Sequence, residues 1–177
     1  MGFTNVDAAP HLLSVEATDV VLGPNKTTPE RYYKDNWPPP KKKVIADTKA
    51  DLTKLPFEDE SAEEVIMLHV LEHFPLPKVR KVLKEIRRVL AGGGNFRLAV
   101  PDAIGNARLL LRAQDPKEED WVLRLFDGTQ ANQYSHHYCS YTSRSLREVL
   151  KGAGFGEFED RTNINFYPAL HLDCKKA

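Results

Sequence analysis

The stretch VIMLHVLEHFPLPKVRKVLKEIRRVLAGGGNFRLAV, residues Val65 to Val100, decides the fold. It opens on the apolar run Val65-Ile66-Met67-Leu68, short and rich in branched side chains, which suits a buried strand. From Lys78 to Leu90 the period changes. Val79, Val82, Leu83, Ile86, Val89 and Leu90 fall three or four apart, opposite Lys81, Lys84, Glu85 and Arg88, the spacing of an amphipathic helix. Burying those six side chains contributes on the order of 9–18 kcal/mol gross, before conformational entropy is subtracted. Gly92-Gly93-Gly94 is expected to end the helix by supplying positive-φ residues. Phe96-Arg97-Leu98-Ala99-Val100, closed by Pro101, then reads as the next strand. Strand, helix and strand in this order form a βαβ unit, with parallel strands and the helix crossing one sheet face. The fold class is therefore α/β.

Outward from this unit the same alternation continues. Phe3 to Val6, Asp19 to Leu22 and Val44 to Ala46 are strand candidates upstream; Phe155 to Phe158 and a stretch within Asn165 to Leu172 are candidates downstream. Helices are expected over Ala103 to Gln114 and Ser143 to Lys151. The second of these carries Leu146, Val149 and Leu150 on one stripe, Ser143 as its N-cap, and Gly152 and Gly154 past its end. One segment breaks the evenness. Residues 23–43, with Trp37-Pro38-Pro39-Pro40 and Lys41-Lys42-Lys43, hold few apolar residues and many helix breakers. They read as a surface excursion, either a semi-rigid polyproline spacer or a lid or partner-docking loop. No fixed-period repeat is present, and residues 1–177 are expected to form one domain around this excursion.

Composition narrows the function classes. The 177 residues hold 25 Lys+Arg against 25 Asp+Glu, so no global field favours nucleic acid or anionic lipid. A local patch at Lys41 to Lys43 is the one basic cluster that keeps nucleic acid in view. Apolar residues make up 41% and charged ones 28%, the balance of a globule rather than a disordered chain. No apolar run approaches the ~18–20 residues a bilayer span needs, and the start lacks a secretory signal, so no membrane association and a cytoplasmic location are expected. Cys139 and Cys174 have no CxxC spacing, which favours reduced thiols over a disulfide or a thiolate zinc site. No metal is expected on that ground.

In open parallel sheets ligands sit beyond the carboxyl ends of strands, so the residues just after each strand carry the chemistry. Three ends are polar: Asp7; Asp51-Leu52; and His69 with Glu72 and His73. A carboxylate at such a place can accept two hydrogen bonds from a ribose diol. Asp7 and Asp51 have a plainer alternative as turn-forming or capping residues. His69-Val70-Leu71-Glu72-His73 also spells H-x-x-E-H. On a helix begun by Ser61-Ala62-Glu63-Glu64 it would place two imidazoles on one face around zinc, with Glu148 as a distal ligand. Against this stand the strand-like run before it and Pro75 and Pro77 after it. Tyr134-Ser135-His136-His137-Tyr138-Cys139 is a polar aromatic cluster, read as a substrate-pocket lining or as a packed surface loop. Trp37 and Trp121 are expected to pack.

Taken together these words resemble a class I S-adenosylmethionine-dependent methyltransferase of the type-11 group. The resemblance rests on Gly2 to Asp7, Ala50 to Ser61, His69 to Phe74, Arg87 to Gly94 with Phe96 to Asp102, and Leu146 to Phe155. It implies a Rossmann-like, mostly parallel sheet with helices on both faces, and methyl transfer to a small-molecule or sugar-like acceptor. It assigns Asp7 to the cofactor ribose, Asp51 and Leu52 to the adenine, and His69, Val70 and Leu71 to the wall beside sulfonium and substrate. His136 and His137 fall on a stretch where such proteins contact the acceptor. Methyl transfer is an in-line displacement in which the protein mainly aligns donor and acceptor. Where the acceptor must lose a proton, His69, His73 or His136 is the expected base.

In the family a first strand and a glycine-rich loop precede the word at Gly2 to Asp7, and here only Met1 does. The sheet is thus expected to be incomplete at its N-terminal side, with cofactor binding weakened by loss of the loop. A second alignment takes Val20 to Asn25 as a shrunken strand and loop, with Asp47 as the ribose acid. The rival functions are a methyltransferase-like binding or scaffold domain that no longer catalyses, a truncated chain whose sheet edge a second copy or partner completes, and the H-x-x-E-H zinc hydrolase.

Overall fold

The structure is a computed structural model that describes residues 6–7, 48–130, 135–161, 163, 165 and 167–177. Its contacts fall into two units, Met1–Pro56 with Ile164–Phe166, and Phe57–Asn163 with Tyr167–Ala177. In the smaller unit, β1 (Val6–Asp7) pairs in parallel with β2 (Thr48–Lys49), Val6 opposite Thr48 and Asp7 opposite Lys49. The other upstream strand candidates, the excursion at 23–43, Trp37, and Asp47 with the second alignment lie outside the described residues.

The larger unit is built on the βαβ element read from the sequence. Strand β3 (Ala62–Leu68) leads through a single 3-10 turn at Leu71–His73 into α1 (Leu76–Val89), and α1 leads into β4 (Leu90–Pro101). β3 and β4 are parallel, Val65 opposite Phe96 and Leu68 opposite Ala99. Pro77 stands in the first turn of α1, where its missing N–H costs nothing. All six apolar positions of the expected helix are buried, although Leu90 now opens the strand.

The glycines do not end the helix. Leu90 turns to extended backbone, φ −70° and ψ 133°, and closes α1 by donating its N–H to Ile86. Gly92 to Gly94 instead lie in an irregular start to β4, where the register jumps from Ala62–Leu90 to Glu64–Asn95. Gly93 has φ +72°, and a Cβ on Gly94 would stand 2.9 Å from the Ala91 carbonyl oxygen and 3.1 Å from that of Glu63. Their conformational freedom is used to fold a bulge.

After β4 come α2 (Ala103–Leu110), α3 (Pro116–Asp127), α4 (Ser143–Gly152), β5 (Phe155–Asp160) and β6 (Ala169–Lys176). The sheet order is β3-β4-β6-β5, with β6 antiparallel to both its neighbours. Helix α2 ends at Leu110, short of Gln114, and Asp115, which precedes a proline, is extended with φ −149° and ψ 164°. The same aspartate restarts the chain as α3, its carboxylate accepting from the N–H of Lys117 at 2.8 Å and of Glu118 at 3.0 Å. In α4 the cap is Thr142 rather than Ser143, in a reciprocal pair with Ser145.

The core gathers Val79, Val82, Leu83 and Ile86 of α1, Phe96 and Leu98 of β4, Leu146 and Leu150 of α4, and Phe155 of β5. The Phe96 and Phe155 rings lie 5.2 Å apart. One charged group is buried in the sheet: the Asp173 carboxylate receives Arg97 Nε at 3.1 Å and Arg161 Nη2 at 2.7 Å. Burial works against its ionisation, but the hydrogen bonds from the two guanidiniums outweigh that and hold it below the usual carboxyl range. Among the described residues no helix is long and apolar enough to cross a membrane.

Candidate functional site

The turn that ends β3 carries the densest polar chemistry of the larger unit. His69 leaves the strand with φ +53°, its N–H donating to the Ala99 carbonyl at 2.8 Å. That left-handed backbone breaks any helix before it starts. Ala62–Leu68 is strand, and the Ser61 hydroxyl donates to the Glu58 carbonyl at 2.7 Å instead of capping a helix. His69 and His73 therefore do not share a helical face, and the H-x-x-E-H zinc-helix reading is corrected. Glu148 takes no part either, because it pairs with Lys151 at 3.0 Å on the exposed side of α4.

The 3-10 turn buries Leu71 completely and Glu72 to 1% exposure. Neither Glu72 carboxylate oxygen accepts a hydrogen bond among the described residues. Its nearest basic group is His69 Nδ1, 3.4 Å from Oε1. On its other side His69 meets Tyr167, whose hydroxyl is 3.5 Å from Nε2, and the ring of His171 stands edge-on at 6.5 Å. Burial, and then the charge of His69, lower the affinity of the His171 imidazole for a proton.

The segment from Ser135 to Tyr141 packs over this turn. The N–H groups of Tyr138 and Cys139 donate to the Glu72 carbonyl at 2.8 and 3.3 Å, and the His137 N–H to the Asp127 carbonyl at 3.1 Å. His73 Nδ1 donates to the His136 carbonyl at 2.8 Å, and His137 Nδ1 to the Leu125 carbonyl at 3.2 Å. The two rings stand 4.8 Å apart at 72°. Burial pushes the His137 imidazole toward its neutral form, with the Glu72 carboxylate opposing. The Tyr141 phenol is pushed above its ordinary range by burial, then by Cys139 and by the charge of Glu72. Glu72, His73 and His137 bring one ligand atom each to within 4.8 Å of one another.

Of the three histidines expected to serve as base, His69 and His73 flank Glu72 on the same turn. His136 contributes its carbonyl to His73 and turns its ring toward Tyr138, 6.2 Å away. Val70 and Leu71 form the turn itself, Leu71 pointing into the core. Tyr167, His171 and Tyr141 were missed because each sits on a strand or loop with no local motif. His137 differs from His136 only in facing inward, which a two-residue repeat of one amino acid cannot reveal.

The nucleoside candidates lie in the smaller unit. Asp7 is the last residue of β1, and Asp51 follows β2 by two residues. Since β1 and β2 are parallel, both acids stand at the carboxyl end of the same ribbon. Asp51 also forms the turn that the plainer reading expected: its Oδ1 accepts from both the N–H and the hydroxyl of Thr53 at 2.8 Å. Leu52 is the first turn residue after it. Carboxylates at the carboxyl ends of adjacent parallel strands can accept hydrogen bonds from ribose hydroxyls and an exocyclic amine, the groups an adenosine cofactor would offer.

The larger unit's βαβ core, with a polar turn after its first strand, defines a Rossmann-like α/β protein. The type-11 family described as a methyltransferase domain matches residues 5–98. That is more than half of the chain, and the chain belongs to this family. Its solved relatives are distant. A possible exported protein from Bordetella parapertussis aligns with TM-score 0.54 at 16% identity, over 73% of this chain and 43% of its own. A SAM-dependent methyltransferase of Thermotoga maritima, named as a possible histamine N-methyltransferase, aligns with TM-score 0.50 at 16% identity over 76% and 65%. Human N-acetylserotonin methyltransferase, solved with SAM, aligns with TM-score 0.50 at 18% identity over 75% and 34%. The chain thus spans less than two thirds of the length of each. No curated protein sequence matches it significantly.

Proposed function

We propose that the protein binds S-adenosylmethionine and transfers its methyl group to a small-molecule or sugar-like acceptor. The observation that carries this reading is the family match over residues 5–98, the span that holds Asp7, Asp51, Leu52, His69, Val70 and Leu71. Asp7 is the residue proposed for the ribose, Asp51 and Leu52 for the adenine, and the turn from His69 to Leu71 for the wall beside the reacting carbon. Bound cofactor supplies a methyl group on a positively charged sulfur, already activated for displacement. The work left to the chain is alignment and exclusion of water. His69 is proposed to face the acceptor together with Tyr167 and His171, because both rings stand edge-on to it and the Tyr167 hydroxyl lies 3.5 Å from its Nε2. His73 and His136 are proposed to position that turn, since the bond between them ties it to the 135–141 segment.

Calorimetry with S-adenosylmethionine and its demethylated product tests this. Ligand that binds only the native state also raises its melting temperature. Binding of both, weakened tenfold or more in Asp7→Ala, is the expected result. No heat and no thermal shift at millimolar ligand would instead support a methyltransferase-like binding domain without catalysis.

A further inference from the structure

We propose that Glu72, His73 and His137 form a binding site for a divalent transition ion of the zinc class. Three observations converge on it. The ligand atoms of the three side chains already lie within 4.8 Å of one another. Both imidazoles donate Nδ1–H to backbone carbonyls, of His136 at 2.8 Å and of Leu125 at 3.2 Å. A carbonyl only accepts, so the hydrogen sits on Nδ1 and each ring presents the Nε2 lone pair. Metal-ligating histidines are held by the same outer bond. Glu72 is 1% exposed, and neither of its oxygens receives a hydrogen bond among the described residues. A buried carboxylate without donors calls for a positive charge beside it, and His69 Nδ1 at 3.4 Å is beyond good hydrogen-bond distance.

Two imidazole nitrogens and one carboxylate oxygen suit zinc, cobalt or nickel better than magnesium or calcium, which prefer all-oxygen sites. Three protein ligands leave a fourth position open, the arrangement of reactive rather than purely structural zinc. Ligands at about 2.0–2.1 Å in a tetrahedron stand about 3.3 Å apart, so the widest pair would close by about 1.5 Å on loading. The scaffold around the site is already fixed, because the N–H groups of Tyr138 and Cys139 hold the 135–141 segment to the Glu72 carbonyl. The ion would sit on the turn proposed to face the acceptor, sharing Glu72 and His73 with it. The site differs from the helical H-x-x-E-H arrangement: His69 is not a ligand, and His137 comes from a remote segment.

The test is a titration of the full, chelator-stripped chain with Co2+, read by visible ligand-field absorption. One equivalent is expected to give a saturating band that Zn2+ displaces. Glu72→Gln and His137→Gln are each expected to weaken binding by at least about 10–100-fold, the loss that removing even an outer-shell partner causes. Glu148→Gln, on the exposed side of α4, is expected to leave the band unchanged. No band at stoichiometric Co2+, or a band that survives both ligand substitutions, overturns the proposal. Should either variant fail to fold, the parent decides: a rise in melting temperature with equimolar Zn2+ but not Mg2+ supports the site, and no rise overturns it.

Discussion

Replacing Gly128 by alanine should loosen the whole region around the buried glutamate. Gly128 caps α3 with φ 75° and ψ 175°, a backbone region that essentially only glycine occupies, at a cost of about 1–3 kcal/mol for other residues. An added Cβ would overlap the Ser135 carbonyl oxygen and stand 3.1 Å from the His137 nitrogen. The neighbour is backbone, so no side chain can rotate away. The segment must retreat, and it carries the Gly128–His136 bridge and the His136 carbonyl that holds His73. Adding about 1 kcal/mol for a lost hydrogen bond brings the expected destabilisation to about 2–4 kcal/mol. With a urea slope of about 2 kcal/mol per molar, the unfolding midpoint should fall by about 1–2 M. Circular dichroism in a urea series reads this directly. A midpoint within about 0.2 M of the parent would refute the reasoning, since it would mean that the loop yields at no cost.

Asp173→Asn should destabilise the sheet by about 1–3 kcal/mol, less than the 3–5 kcal/mol of a fully buried pair, because Arg97 and Arg161 are about half exposed and can be rehydrated. The Asp173 carboxyl is held below its ordinary value when folded. The stability it contributes is therefore complete above the unfolded value of about 3.9 and is lost as pH falls through the lower folded one. Urea midpoints at pH 7 and pH 3 should show a steeper acid loss in the parent than in the variant; parallel losses would remove Asp173 from that role. Cys174, 1% exposed and with its thiol pushed up to about 12 by burial and then by Asp173, should resist a thiol reagent until denaturant is added, while Cys139 labels first. Simultaneous labelling of both in the native protein would contradict the packing.

What could be read from the sequence was what periodicity and short-range chemistry encode. The α1 stripe from Val79 to Leu90 named its own buried face, and Val65 to Leu68 with Phe96 to Val100 named the parallel pair. The glycines after α1 misled, because a helix terminator and a strand bulge demand the same positive φ, and only the Glu63 carbonyl nearby tells them apart. Helix α3 went unread although Asp115-Pro116 is a strong start signal; its buried residues are only Trp121 and Val122, too few for a clear stripe. The site was legible in part. Glu72 and His73 stood out as a motif, but the geometry that motif suggested required a helix, and the chain makes a left-handed turn at His69. Its real neighbours arrive from Leu125, His136 and His137, through contacts that no local pattern announces.

The placement of β6 bears on how this protein is made. Among the described strands it is the last to be translated, yet it lies inside the sheet, between β4 and β5. Until residues 169–176 leave the ribosome, β5 has no partner and one edge of β4 stays open. The larger unit must then wait as a half-formed sheet during synthesis, with its slowest, most distant pairing left to the end. A nascent chain stalled before Ala169 would be the form most in need of a chaperone.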